Sequence, residues 1–170
     1  MYEQMNKTDT KQRNYSMDDF RKIIETLRGE FGCPWDKAQT HGSLTGCMIE
    51  EAAEAVSGIK LYEKTGNKES MQEELGDVLM QVVLHARIAE EEGLFTLDDV
   101  IRGISEKMVR RHPHVFAPDG TPLLGKEPDR SQVKTWKEIK SLEKKEQSFK
   151  EPILKKRFRK VFAKFYKTFL

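Results

Sequence analysis

The chain is poor in several things that would have directed its reading elsewhere. Of its 170 residues two are cysteines, Cys33 and Cys47, with no CxxC between them. That pattern suggests neither a disulfide framework nor a zinc knuckle, and a reducing cytoplasm is the expected setting. No apolar run approaches the roughly 18 residues that a membrane span needs. Charged residues make up 34% and mean hydropathy is -0.69, as for a soluble protein. The polar opening MYEQMNKTDTKQRNYS lacks the apolar stretch of a secretory signal. No Gly-rich phosphate loop of the form GxxxxGK[ST] occurs. No segment alternates apolar and polar residues as a strand would, and no internal repeat is visible. What remains is helical periodicity, so the expected class is all-α.

The small formal net charge of +2 hides an asymmetry. Residues 150–170 hold eight Lys or Arg and one acid, leaving 22 basic and 27 acidic residues in the rest. Three parts are expected: a flexible leader over 1–15, a helical domain over 16–148, and a basic tail over 149–170. In the tail Leu154, Phe158, Phe162, Phe165 and Phe169 form an apolar stripe among lysines and arginines. Such a stripe suits a membrane surface, a nucleic acid or another helix, or packing on its own dimer.

Within the domain, Ser16 with Asp18 and Asp19 is expected to open a helix through Phe20, Ile23, Ile24 and Leu27, ending near Gly29. GCPWDKAQTHGS reads as a loop. Ser43 is expected to cap a second helix to about Lys64, and TGN to break it. A third runs from about Lys68 to Glu92, and Thr96 with Asp99 opens a fourth that stops at His112-Pro113. Residues 113–130, with four prolines and two glycines, form a long turn-rich connection. From Ser131 a polar helix is expected around Val133, Trp136 and Ile139.

Nine of the twelve residues from Val78 to Ala89 are apolar, leaving Gln81, His85 and Arg87 to face water. At about 100° per residue, Glu74, Asp77, Gln81 and His85 share one stripe roughly 80° wide. A helix apolar around most of its girth is normally covered on several sides. A domain of four or five helices is expected to complete that cover by forming a homodimer.

Glu50, Glu51 and Glu54 on the second helix fall within an arc of about 100°. A short turn joins the second and third helices, so antiparallel packing brings Glu51 and Glu54 opposite Glu74 and Asp77. Two like charges 4 Å apart repel by about 4 kcal/mol at an effective dielectric of ~20. A hard divalent cation removes that conflict, and an all-oxygen set suits Mg²⁺ or Mn²⁺. Glutamates on a helix are most often a solvated face, and a lone EExxE carries little weight; the second acidic pair, on the only polar stripe of an apolar helix, adds to it. A di-iron bundle would need Glu-x-x-His on two helices. The residues three before the four histidines are Ala38, Val82, Val109 and Arg111.

On the fourth helix Lys107 and Arg111 stand at i, i+4 beside the apolar face of Leu97, Ile101, Ile104 and Met108. They read either as solvated surface cations or as partners for a polyanionic ligand, whose phosphate oxygens can bind metal and basic side chains together.

In order and spacing, GCPWDKAQTHGSL, EEAAE, EELGDVLMQVVLHARIAEEEGLF, ISEKMVRRHPHVF and WKEIK resemble the MazG family of nucleoside triphosphate pyrophosphohydrolases, over roughly residues 17 to 145. The resemblance implies an all-α fold that dimerises and Mg²⁺-dependent cleavage of NTPs or dNTPs to the monophosphate and pyrophosphate. It implies metal ligands at Glu51, Glu54, Glu74 and Asp77. Glu50 would orient the attacking water or support the ligands, and Lys107 and Arg111 would contact phosphate. Trp35 and Gln39 match the segment that approaches the base; for Trp35 an ordinary loop anchor is the competing reading. The sequence departs from the family at Lys137, where Glu is usual. Its basic end does not look like the family's usual linker, and many members continue into a second, similar domain. Two rival functions remain open: a pyrophosphatase restricted to one nucleotide such as dUTP or dCTP, and a metal-binding helical dimer without turnover that acts through its basic tail.

Overall fold

A computed structural model of the chain describes residues 14–125 together with Glu127 and Glu138. The polar helix expected from Ser131, the tail stripe and most of the leader lie outside the described residues. Among the described residues there are five helices and no strand, in agreement with the all-α expectation: α1 (Met17–Arg28), α2 (Pro34–Ala38), α3 (Thr45–Thr65), α4 (Lys68–Glu91) and α5 (Leu97–Arg111). None of them is long and apolar enough to cross a membrane. The chain divides into two compact units, one up to Ile104 and one from Ser105.

The first unit is organised by the α3–α4 hairpin. Gly66 ends α3 in the left-handed region at φ 74, where a side chain would be strained, and its N–H reaches Tyr62 O at 2.8 Å. Asn67 then caps α4, its side chain accepting from the amides of Glu69 and Ser70. The two helices run antiparallel in close contact. At Gly58, buried on α3, a Cβ would stand only 3.1 Å from Met71 Cα on α4, so glycine is what permits the approach.

The core lies toward the C-terminal half of α4. Val83, Leu84, Ala86 and Ile88 pack with Ile24 of α1, Leu44 and Leu97, and Phe20, Leu27, Cys47 and Met80 close around them. Ile23, expected on the same face of α1, is instead 40% exposed. Gln81 reverses the expectation that it faces water: it is 2% exposed, and its Oε1 has no hydrogen-bond partner among the described residues. The tightly packed half of α4 surrounds this one position of the polar stripe.

The helix starts follow local chemistry with one exception. Ser16 and Asp19 form a reciprocal capping box on α1, and Thr96 and Asp99 repeat it on α5. Ser43 does not cap α3, which begins after Leu44 with no side-chain cap. Its hydroxyl donates to Gln39 Oε1 at 2.7 Å and accepts from the Thr40 amide at 3.0 Å, so the residue is spent on the preceding turn. That turn follows α2, a single helical turn inside the expected loop, started by Pro34 at its first position.

One buried cation pins this segment. Arg28, its side chain 5% exposed, pairs with Glu91 of α4 at 2.7 Å and donates to the carbonyls of Asp36 and Gln39. Arg87 braces Glu91 from the other side at 2.9 Å. In the second unit α5 gives way at His112, and the segment to Leu123 folds back through a turn at Gly120 with one isolated bridge between Phe116 and Pro122. It is the turn-rich connection that the prolines foretold.

Candidate metal centre

The hairpin sets the acids face to face. On α3, Glu51 and Glu54 lie one turn apart, and Glu74 stands opposite on α4. One carboxylate oxygen from each of the three lies within 4.8 Å of the others. Octahedral ligands around Mg²⁺ at 2.0–2.1 Å are about 3 to 4 Å apart, so the three oxygens stand at or slightly beyond the spacing an ion would impose. The donors are all hard carboxylate oxygens, which fit Mg²⁺ or Mn²⁺.

Asp77 stands outside that three-oxygen group but belongs to its field. The Glu51 carboxyl is held above its usual value first by burial, then by the charges of Asp77, Glu54 and Glu50. Glu74 is raised first by burial, then by Glu54, Glu73, Asp77 and Glu51. Four of the predicted positions therefore repel one another through a common space, joined by Glu50 and by Glu73, which the sequence pattern did not single out. Burial and acidic neighbours act on both carboxyls in the same direction.

The remaining predicted residues are distributed as follows. Lys107 and Arg111 are half-buried and one turn apart on α5, in the second unit. Trp35 is 61% exposed on α2. The Gln39 amide is engaged at both ends, donating to Trp35 O at 3.0 Å and accepting from Ser43. Sequence reasoning did not find the contact next to Gln39. His41 and His85 meet through their Nδ1 atoms at 2.8 Å. Nothing local signals a pair 44 positions apart.

Fold and site together define an all-α domain built on a carboxylate-lined helical hairpin. Residues 39–116 match the family model for the MazG nucleotide pyrophosphohydrolase domain, and the chain carries a domain of that family. It is 47% identical over 134 residues to the nucleoside triphosphate pyrophosphohydrolase/pyrophosphatase MazG of Thermotoga maritima, covering 79% of this chain and 48% of that protein. It is 38% identical over 128 residues to the nucleoside triphosphate pyrophosphohydrolase of Escherichia coli, covering 75% of this chain and 45% of that protein. A similarity of 51% over 130 residues joins it to the uncharacterized protein YabN of Bacillus subtilis, covering 76% of this chain and 25% of that protein. The chain thus spans about half or less of the length of these relatives.

Proposed function

We propose that this chain is a Mg²⁺-dependent nucleoside triphosphate pyrophosphohydrolase, releasing pyrophosphate and a nucleoside monophosphate from NTPs or dNTPs in the cytoplasm. The observation that carries the reading is the convergence of Glu51, Glu54 and Glu74 within 4.8 Å inside a MazG domain. Two of these carboxyls are perturbed toward the neutral form by their surroundings, as expected of a site that a cation completes. The names of the Thermotoga and Escherichia relatives support the substrate class.

In this reading Glu51, Glu54, Glu74 and Asp77 hold the metal. When bound, it neutralises triphosphate charge and makes a coordinated water more acidic. Glu50, adjacent to the ligands, would orient the attacking water. Lys107 and Arg111 neutralise phosphate oxygens as charge passes to the pyrophosphate leaving group. Trp35 offers its exposed ring to the base, and Gln39 shapes the segment that presents it.

We further propose a homodimer. Val56 and Ile59 on α3, and Leu75 and Leu79 on α4, are 39–49% exposed, an apolar surface on the very hairpin that holds the acids. The deciding experiment is titration of the chain with Mg²⁺ and a non-hydrolysable triphosphate analogue, beside an assay of pyrophosphate release across the NTP and dNTP panel. Mg²⁺-dependent release that disappears in Glu54→Gln is the expected result. Equal release by the variant would overturn the ligand assignment.

A further inference from the structure

The segment from Cys33 to Leu44 is tied together from within. Gln39 bonds Trp35 and Ser43, and Thr40 and Ser43 exchange backbone and hydroxyl bonds, while Lys37 reaches back out of the segment to Glu30 O at 2.8 Å. It is tied to the helices on either side of Gln39. On one side is Arg28, reaching the carbonyls of Asp36 and Gln39. On the other is His41, whose ring lies parallel to that of His85 on α4, with an interplanar angle of 5° and centroids 5.1 Å apart.

We propose that His41 and His85 are positioning residues, forming a hydrogen-bonded clamp that fixes the segment bearing Trp35 and Gln39 against α4 so that it can receive the nucleotide. The clamp stands on geometry alone; its service to the nucleotide rests on the function proposed above.

Two Nδ1 atoms 2.8 Å apart must share one proton between them, so the rings take opposite roles. Glu92, which caps the end of α4, biases the choice. Its Oε2 is 3.8 Å from His41 Nε2 and favours a proton there, leaving His41 Nδ1 as acceptor and His85 Nδ1–H as donor. Burial keeps His85 on the neutral side, its pKa lowered first by desolvation and then by His41. One turn before His85 on α4 lies the buried, uncharged Gln81, and two turns before that is Glu74, a member of the acidic cluster. The clamp therefore lies on the same stripe of α4 as the candidate metal ligands, and it sets the Trp35 segment in register with that stripe.

The test begins with the chain itself. Amide hydrogen exchange is followed at Lys37, Gln39 and Leu44, whose N–H groups bond within the segment, and along α4 from Val83 to Ile88. In His85→Leu and in His41→Leu the segment amides are expected to exchange about tenfold faster, the loss of one net hydrogen bond. The α4 amides should stay within about twofold, and His85→Gln, which retains a donor, should recover most of the protection. Unchanged segment exchange in both leucine variants overturns the clamp, as does equal acceleration along α4. Nitrogen NMR of the two rings is a second reading: His85 protonated on Nδ1 supports the assignment, and two Nε2–H tautomers overturn it.

Steady-state kinetics then address positioning. KM for the nucleoside triphosphate should rise about tenfold in the leucine variants with kcat within about twofold. A fall in kcat at unchanged KM overturns the positioning role. Absence of turnover in the unmodified chain would count against the proposed function, and the exchange experiment would still decide the clamp.

Discussion

At the scale of single residues the site is a conflict between like charges. Glu51 and Glu74 sit with raised pKa values, so each holds its proton to higher pH in the folded chain than in the unfolded one. Between those two values the native state binds more protons, and stability falls as pH rises through the window above about pH 4.5. Glu91, Asp98 and Asp99 oppose this. Arg28 depresses Glu91, Arg21 depresses Asp98 and the Thr96 cap depresses Asp99, so their contribution is present above the unfolded values and lost as pH falls through the lowered ones. The metal-free chain is therefore expected to be most stable in mildly acidic solution, which thermal melts between about pH 3 and 8 would check. Cation binding should reverse the upper slope, because the ligands must shed protons to coordinate. Mg²⁺ affinity is expected to rise with pH across that window, with proton release detectable by calorimetry in buffers of different ionisation enthalpy. Neutralising one acid exposes the same conflict directly. Glu74→Gln should raise the melting temperature of the metal-free chain by about 2–5 °C while lowering pyrophosphate release at least about a hundredfold. A variant that melts lower in the absence of metal would show that the glutamate's packing outweighs the repulsion it suffers.

At the scale of elements, the hairpin and its pins carry the geometry. Gly58 has no spare room, and Gly58→Val should cost about 1–3 kcal/mol in chemical denaturation through backbone displacement at Met71. Gly103 on α5 has no described atom within 4 Å of its would-be Cβ, and Gly103→Ala should stabilise by about 0.5–1 kcal/mol. The contrast tests whether glycine in these helices serves close approach or merely weakens propensity. Arg28→Met should cost about 2–3 kcal/mol, since it leaves Glu91 with Arg87 alone and strands two carbonyls.

Much of this scale was legible beforehand. The helix starts after Ser16 and Thr96 follow from capping residues, the break before Lys68 follows from TGN, and the opposition of Glu51 and Glu54 to Glu74 follows from periodicity plus a short turn. What could not be read depended on distant partners. Ser43 looks like a cap until Gln39 and Thr40 claim its hydroxyl. Gln81 looks wet on a helical wheel, yet burial is set by neighbouring elements that the wheel does not contain. The Arg28–Glu91 and His41–His85 contacts join positions far apart in the chain, and no local pattern announces them.

For the whole molecule, the exposed apolar residues point outward from a domain whose core is small. Only nine apolar residues among those described are buried, fewer than the exposed large ones. If α3 and α4 meet a second copy through Leu75 and Leu79, Leu79→Glu should shift sedimentation from dimer to monomer. Turnover should fall with the dimer population, because the same helices hold the acids. Sedimentation unchanged by this substitution would remove the hairpin from the interface.

The left-handed turn at Gly66 gives the candidate centre a particular ancestry in time. Every acid proposed to hold the ion lies between Glu51 and Asp77, on the two arms joined by that turn. A nascent chain can close such a loop long before its far end has been synthesised, so the electrostatic penalty arises early. A divalent cation that fits this centre would therefore meet both arms before the rest of the chain is made, and by binding the folded pair would favour the hairpin as it forms.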